Sequence, residues 1–382
     1  MIRAVAGSSV FSAIRTTVAA AAFALGCGGG HSSPDAPAGF QPAAHTQLPL
    51  LDMHTGAILK NVQLVTLTYS DYPDTANVEA FGDYVVTSPW FTQVTSEYGV
   101  GAGTHAAKFH MGPTPTTMLA IADVETQIKT LIMNSSVPQP PATGNEYLYM
   151  IYIPHAATKG PDLTGFFGYH SMITVNGINV PYAVILDDGS GTDTTTSTAA
   201  HELVEAATDT LFTTNQNGDG WWADKALPDP WFLVETEAAD LCDGEALIRS
   251  GTFEVQRIWS NNAIMAGKSP CVPYDPDDVW FDVSADPPAM PHVPAGGNAV
   301  FTLTGWSTVE VPDWKLATYV ADFSDVSSTD LNATLSAPTI NNGKTVMLTL
   351  HVPTTAQSGQ NGGVYVLSGD QQRPWVVGYI VQ

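Results

Sequence analysis

The sequence predicts an α+β protein of two domains, of which the first is mixed and the second is all-β. Strand-like and helix-like segments alternate from Leu48 to about Tyr274. From Asp275 onward, β-prone runs separated by proline replace them, and helical periodicity almost disappears. About 335 residues follow the N-terminal region, more than one hydrophobic core usually serves. We therefore expect one domain at 48–274 and a second at 275–382.

The first 26 residues are typical of an export signal. Arg3 and Arg15 precede an uncharged, alanine-rich run that is shorter than the roughly 20 residues needed to span a bilayer. Small residues lead into Cys27, as in lipoprotein signals of bacteria, so we expect residues 1–26 to be removed and Cys27 to be lipidated. Ala24 stands where leucine is usual, and ordinary cleavage with release is the alternative. The expected location is the outer membrane or cell surface, or the medium.

The segment 27–47 is rich in glycine, serine, proline and alanine. Such a composition buries too little apolar surface to fold on its own, so the sequence predicts a disordered tether.

Charge limits the partners that the chain can take. The formal net charge is −24, and loss of residues 1–26 removes two arginines and no acid, which brings it to −26. Nucleic acid requires clustered lysine and arginine, so no nucleic-acid partner is expected. Contact with a membrane is expected only through the N-terminal lipid. We interpret the acidity as a solubility property.

The elements of the first domain follow one another in a clear order. Buried strands are predicted at 62–69, 147–153 and 180–186, and helices at 77–86, 88–98 and 117–134. The second helix begins with Ser88 and Pro89, which suit an N-cap and a first helical turn.

The second domain is predicted to contain about seven short strands. They lie at 279–283, 299–303, 316–320, 331–336, 345–352, 363–367 and 375–381. Seven strands at this spacing suggest an antiparallel sandwich of immunoglobulin-like type.

The most informative chemical motif is His201-Glu202-Leu203-Val204-Glu205, which follows a polar run after the third strand. On a helix, His201 and Glu205 lie one turn apart on one face, and Glu202 lies about 100° around the axis. Zinc proteases use H-E-x-x-H, with two imidazole ligands and the glutamate as general base. Here a carboxylate replaces the second imidazole. We predict a Zn²⁺ held by His201 and Glu205, with Ca²⁺ or a metal-free site as alternatives.

Further candidates come from elsewhere in the chain. Glu237 and Asp240 lie three residues apart and share a face if their segment is helical. One class of zinc proteases takes its third ligand from a second helix, so we predict Glu237 as the third ligand and Asp240 as the group that orients His201. His170 is a candidate catalytic donor or ligand, and a structural role is the alternative.

Three cysteines are an odd number for an exported protein. If Cys27 carries lipid, Cys242 and Cys271 remain as a pair. A disulfide is the default in an oxidising compartment and would contribute about 3 kcal/mol on the loop-entropy model, while two buried thiols are the alternative.

Several segments together resemble a known family. They are Tyr98-Gly99-Val100-Gly101, Gly168-Tyr169-His170, Tyr182-Ala183-Val184-Ile185, Ala200 to Asp209, Glu237 to Cys242, and Trp259-Ser260-Asn261 ahead of Cys271. In order and spacing they resemble the secreted phosphate-induced protein 1 or EXORDIUM-like family, over about residues 60–273. The resemblance implies a secreted or wall-associated protein with a helix similar to that of zincin metalloproteases, and no firmly assigned reaction. The sequence departs from the family at Thr210, where relatives often have proline.

These observations predict an exported, lipid-anchored metallohydrolase with a zincin-like first domain. It would cleave a peptide bond, with His201, Glu205 and Glu237 holding the ion and Glu202 taking a proton from the attacking water. The alternative is a non-catalytic envelope or wall-binding protein, in which the same residues form a structural metal site or a hydrogen-bonded cluster. The expected partner is a peptide or a cell-surface polymer.

Overall fold

The computed structural model of the protein describes residues 39–211, 220–234, 236–274, 279–321, 323–327, 330–370 and 373–382. The expected signal segment, the expected lipidation at Cys27 and residues 27–38 of the expected tether lie outside these ranges. Within them, no helix is long and apolar enough to cross a membrane. Strands dominate and helices are few, which is compatible with the predicted α+β class.

The region predicted as the first domain, for which we keep that name, is built on a five-stranded mixed sheet. The strands of this domain are β1 (Asp52–Met53), β2 (Gln63–Tyr69), β3 (Thr104–Met111), β4 (Tyr147–Ile153), β5 (Gly168–Val175), β6 (Ile178–Leu186), β7 (Trp221–Trp222), β8 (Ile248–Ser250), β9 (Phe253–Val255), β10 (Ile258–Trp259) and β11 (Cys271–Val272). The sheet order is β3-β2-β4-β6-β5, and only the edge strand β5 runs antiparallel to its neighbour. The remaining strands form three two-stranded pairs, β1 with β7, β8 with β9 and β10 with β11.

Helices cover both faces of this sheet. They are α1 (Thr75–Val85), α2 (Pro89–Thr95), α3 (Ile121–Met133), α4 (Thr192–Thr208) and α5 (Asn261–Met265), with short 3-10 turns at Ser96–Tyr98, Pro161–Leu163, Pro230–Leu233 and Asp240–Cys242. Successive strand residues point to opposite faces. Leu64 and Met150 therefore pack in one core with α1, α2 and α4, whereas Val65 and Tyr149 pack in another with α3.

The predicted central strands correspond to β2, β4 and β6, which are apolar along their length because both of their faces are covered. The three predicted helices correspond to α1, to α2 with its following turn, and to α3. Ser88 caps α2 by accepting a hydrogen bond from the Phe91 N–H at 3.0 Å. The two edge strands β3 and β5 have no predicted counterpart. The candidate His170 lies within β5.

Helix α4 begins at Thr192, earlier than the apolar pattern indicates. Its first turns are rich in threonine and serine, whose hydroxyls donate to backbone carbonyls three or four residues before them. Thr198 donates to the Thr194 carbonyl at 3.0 Å and Ser197 donates to the same carbonyl at 3.0 Å. Thr196 also donates to the Glu254 carbonyl at 3.0 Å, which ties the helix to β9. From Thr195 onward the helix is buried.

The second domain consists of two β-sheets. Its strands are β12 (Phe281–Asp286), β13 (His292–Val293), β14 (Asn298–Ser307), β15 (Trp314–Val320), β16 (Asn332–Leu335), β17 (Thr339–Ile340), β18 (Thr345–His351), β19 (Asn361–Ser368) and β20 (Arg373–Val381). One sheet has the order β12-β14-β18-β16 and the other β13-β20-β19-β15-β17. The seven predicted strands are all present, and the two-residue strands β13 and β17 are additional.

The two domains share one hydrophobic core. Buried residues of α4 and of both sheets of the second domain belong to the same cluster. The 3-10 turn Pro230–Leu233 lies against β19 and β20, where Leu233 fills a space over two glycines. A Cβ atom at Gly363 or at Gly378 would lie 2.3 Å from Leu233 Cδ1, so only glycine leaves room for this side chain.

Residues 43–46, within the predicted tether, lie against the second domain. The Ala43 N–H donates to Asn342 Oδ1 and the Thr46 N–H donates to Ser284 Oγ, both at 2.9 Å. His45 packs among three tryptophan rings, with ring centroids 4.5 to 5.5 Å from its own, at Trp280, Trp306 and Trp375. This segment has a composition that cannot form a core of its own, and it packs instead on a surface of the second domain.

Candidate metal centre

The candidate site lies between α4 and β5. Helix α4 presents His201, Glu202 and Glu205, whose exposed fractions are 1%, 1% and 3%. As the helical spacing predicts, His201 and Glu205 face each other across one turn, with Nε2 3.0 Å from Oε1. A histidine and two carboxylates are thus held together in the interior of the domain.

Gln256, just after β9, fixes the orientation of the His201 ring. Its amide nitrogen donates to the Ala239 carbonyl at 2.7 Å, so its oxygen must be the atom that lies 2.7 Å from His201 Nδ1. An amide oxygen only accepts, so Nδ1 carries a proton. Nε2 is then the nitrogen that faces the carboxylates. Metal-binding histidines have this same arrangement, in which the outer nitrogen donates to a fixed acceptor.

His170 approaches from β5 in a similar way. Its Nε2 lies 3.2 Å from the backbone carbonyl of Asp209, at the end of α4, and must donate to it. Its Nδ1 faces two carboxylates, 3.6 Å from Glu202 Oε2 and 3.5 Å from Glu205 Oε2. His170 therefore joins the site directly, and it is 4% exposed.

The segment around the Asp240–Cys242 turn completes the site, but its two acidic residues do not have the partners that the sequence predicts. Glu237 Oε1 lies 3.5 Å from His170 Nε2, and Asp240 Oδ1 lies 3.4 Å from His201 Nε2. Ligand atoms within 4.8 Å of one another come in two sets, His170 with Glu205 and Glu237, and His201 with Glu205 and Asp240. The predicted trio of His201, Glu205 and Glu237 is thus divided between two sets. Gln256, and not Asp240, orients the His201 ring.

Several atoms of this cluster have no hydrogen-bond partner among the described residues. They are His201 Nε2, both carboxylate oxygens of Glu202, Glu205 Oε1 and Glu237 Oε1. An unsatisfied buried polar atom costs about 1 to 3 kcal/mol, and more if it is charged. His201 Nε2 and Glu205 Oε1 lie 3.0 Å apart as an ion pair, and so many buried polar atoms without a hydrogen bond in one place suit a cluster that accommodates cations, either protons or metal ions.

Without metal, the electrostatics of the cluster favour bound protons on Glu202, Glu237 and the two imidazoles. At Glu205 the effect of burial is outweighed by the imidazoles, which lower the pKa of this carboxyl well below its usual range. Burial raises the pKa of Glu202 to about 7 against the opposing effect of the two imidazoles. Burial, together with the charge of Glu205, raises the pKa of Glu237 well above its usual range. Burial opposes charge on His170 and His201, but the surrounding carboxylates outweigh it and raise both pKa values. Metal binding would have to displace such protons.

The predicted disulfide is present and lies beside the site. Cys242 and Cys271 are bonded, with Cα atoms 5.7 Å apart. The bond links the Asp240–Cys242 turn to β11. Because Asp240 belongs to that turn, the disulfide also restricts the position of its carboxylate.

Neither a protein-family model nor a curated protein matches this chain. The resemblance to the phosphate-induced protein 1 family therefore stays a prediction. Sequence reasoning missed Gln256 and the Asp209 carbonyl as partners of the two imidazoles. Asp209 ends the Ala200 to Asp209 segment, but the atom that His170 contacts is its backbone carbonyl, which the residue type does not indicate. Gln256 stands in no recognisable motif and reaches His201 only through the packing of β9 against α4.

Proposed function

We propose that this chain is an exported metal-binding protein whose first domain holds a divalent ion of the Zn²⁺ type in the buried His/Glu cluster. The observation that carries the proposal is the orientation of the two imidazoles. Each ring donates its outer proton to a fixed acceptor, Gln256 Oε1 or the Asp209 carbonyl, and directs its other nitrogen at carboxylate oxygens.

The distances support the same proposal. Two ligands bound tetrahedrally to one ion at 2.0 to 2.1 Å lie roughly 3.3 Å apart. The nitrogen–oxygen separations in the cluster are 3.0, 3.4, 3.5 and 3.6 Å. Imidazole nitrogen with carboxylate oxygen suits Zn²⁺, Mn²⁺ or Fe²⁺, whereas Ca²⁺ takes six to eight oxygen ligands.

Burial favours a structural role for this centre. Glu202 and Glu205 are 1% and 3% exposed, and β5 lies so close to α4 that a Cβ atom at Gly168 would be 2.7 Å from Glu202 Oε1. A peptide bond cannot reach these atoms unless β5 or the 237–240 segment moves. The favoured function is therefore that of a non-catalytic envelope or wall-binding protein with a metal-stabilised first domain, followed by an immunoglobulin-like sandwich.

A metal-dependent hydrolase is the second candidate, and one observation favours it. Neither oxygen of Glu202 accepts a hydrogen bond among the described residues, and a carboxylate whose pKa is raised to about 7 is suited to general-base work at neutral pH. A bound ion would supply Lewis acidity. The zincin-like assignment of the mixed sheet belongs to this candidate.

Elemental analysis and a peptide library separate the possibilities. We expect the purified protein to contain a divalent ion, chelation to lower its melting temperature, and no peptide to be cleaved. Cleavage that Glu202→Gln abolishes at unchanged metal content would establish the hydrolase instead. Absence of metal, with no gain in melting temperature on adding Zn²⁺ or Mn²⁺, would leave a hydrogen-bonded cluster and refute the proposal.

A further inference from the structure

We propose that the cluster is a dinuclear centre, in which two divalent ions are bridged by the carboxylate of Glu205. This inference rests on the proposed function, since it requires that the cluster bind metal at all. It differs from the single zinc ion that the H-E-x-x-E motif predicts.

The bridge follows from the two oxygens of Glu205. Oε1 lies 3.0 Å from His201 Nε2, whereas Oε2 lies 3.5 Å from His170 Nδ1. The two oxygens of this one carboxylate thus face different imidazoles. A carboxylate that binds one ion through each oxygen is well suited to two-metal sites, in which the ions are about 3.5 to 4 Å apart.

Each half of the cluster has its own set of ligands. The first half contains His201 Nε2, Glu205 Oε1 and Asp240 Oδ1. The second contains His170 Nδ1 and Glu205 Oε2, with Glu237 as the third residue of the set. The contact of Glu237 Oε1 is with His170 Nε2, the nitrogen that donates to the Asp209 carbonyl, so Glu237 must turn toward Nδ1 to bind the same ion. Glu202 Oε2 adds a further oxygen to the second half, 3.6 Å from His170 Nδ1. Neither half borrows an imidazole from the other.

The buried atoms without partners are also distributed over both halves. His201 Nε2 and Glu205 Oε1 belong to the first half, while Glu237 Oε1 and the Glu202 oxygens belong to the second. All four of these residues are at least nine-tenths buried. An ion bound in one half alone would leave these atoms of the other half without a hydrogen bond or a metal ion.

The charge of the cluster also favours more than one ion. Glu202, Glu205, Glu237 and Asp240 carry four negative charges when ionised. In the described part of the chain, the only ion pairs of Glu202, Glu205 and Glu237 are with histidine, and no lysine or arginine reaches them. With neutral imidazoles, one divalent ion offsets only two negative charges, so a second ion would offset more of the charge that this buried cluster carries.

Manganese provides the test, because Mn²⁺ accepts this ligand set and its electron paramagnetic resonance spectrum distinguishes single from paired ions. The full exported chain would be stripped with a chelator and titrated with Mn²⁺ in equilibrium dialysis, and its spectrum recorded at saturation. We expect two ions per chain and the multiline spectrum of an exchange-coupled pair.

Variants locate each ion. His170→Ala and Asp240→Asn should each reduce the stoichiometry from two to one and leave the six-line spectrum of an isolated Mn²⁺, while Glu205→Gln should abolish the coupling. Glu245→Gln is the matched control, since Glu245 is a buried acid outside the cluster, and it should retain two coupled ions.

One ion per chain in the unmodified protein overturns the dinuclear proposal and leaves the proposed metal-binding function intact, whereas no bound ion overturns both. Two uncoupled ions, or two ions retained in His170→Ala, also refute the bridge. The stoichiometry and spectrum of the unmodified chain decide the matter even if a variant fails to fold.

Discussion

Gly168 of β5 and Glu202 of α4 are fitted to each other without room for a methyl group. A Cβ atom at residue 168 would lie 2.7 Å from Glu202 Oε1 and equally close to Thr198 Cγ2. The edge strand β5 can therefore approach α4 closely, and His170, two residues beyond Gly168, enters the cluster. The absence of a side chain at one position thus brings the second imidazole into the site.

Replacing this glycine should affect both stability and metal binding. We expect Gly168→Ala to lower the free energy of unfolding by roughly 1 to 3 kcal/mol, because the added methyl overpacks the contact with α4. Urea unfolding measures the change, and dialysis with Mn²⁺ should show weaker binding. Gly112→Ala is the control, since a Cβ atom there meets nothing within 4 Å. Equal stability of the two variants would show that β5 can move away from α4 at little cost.

The hydrogen bond from His201 to Gln256 should contribute to metal affinity. Gln256→Leu removes the acceptor with little change in volume, so the ring loses its orientation and we expect affinity to fall by roughly 10- to 100-fold. Gln127→Leu is matched to it, because Gln127 accepts a hydrogen bond from the Tyr69 hydroxyl at 2.8 Å, outside the cluster. Calorimetric titration with Zn²⁺ compares the two. An unchanged dissociation constant in Gln256→Leu would exclude this role for the amide.

Glu202 should make the metal-free protein less stable as pH rises from about 4.5 to about 7. Its pKa is raised from 4.5 to about 7 on folding, so in this window the folded state binds more protons than the unfolded state. The free energy of unfolding therefore decreases with pH, by roughly 3 kcal/mol at most over this window. Glu202→Gln resembles the protonated form and should flatten the profile. Urea unfolding of the chelated protein between pH 4.5 and 7.5 checks this, and parallel profiles would contradict it.

Loss of the disulfide should weaken both the fold and the first half of the cluster. Cys242 and Cys271 are separated by 29 residues, and closing such a loop contributes about 3 to 4 kcal/mol. We expect the double variant Cys242→Ala, Cys271→Ala to lose about this much stability. It should also bind the His201–Asp240 ion more weakly, since Asp240 is no longer held in place. A stability loss with metal affinity unchanged would show that the turn keeps its position without the bond.

Leu233 should couple the two domains. Leu233→Ala leaves a cavity over Gly363 and Gly378, and a buried leucine truncated in this way costs about 2 to 5 kcal/mol. Its neighbour Phe232 is 36% exposed, so Phe232→Ala should cost much less. Calorimetry is the measurement, and we expect one cooperative transition to shift downward. A shift no larger than that of Phe232→Ala would mean that the interface adapts to the loss.

Local pattern was sufficient for part of this structure. The central strands, the helical positions of His201 and Glu205, and seven strands of the second domain follow from periodicity within short windows. The edge strands β3 and β5 were missed because each has only one covered face or carries polar residues, so neither forms a continuous apolar run. The cysteine pair followed from counting, and the bond in the structure confirms it.

The assembly of the site lay beyond local pattern. His170 and Gln256 are 31 and 55 residues away from His201 in sequence, and only the packing of β5 and β9 against α4 brings them together. Asp240 was expected to support the ring, yet it lies beside the nitrogen that Glu205 also faces, because the 237–242 segment forms a short turn and not the helix that was assumed. Likewise, the composition of residues 43–46 indicates that they cannot fold alone, but it does not indicate that they pack on the second domain.

The contact between Leu233 and the glycine pair also bears on how such proteins could exchange parts. A β-sandwich from another protein could replace the second domain only if it had two glycines at the place where Leu233 packs. Recombination between unrelated chains would rarely satisfy that condition, so the two halves are expected to be inherited together. The contact thus restricts domain shuffling.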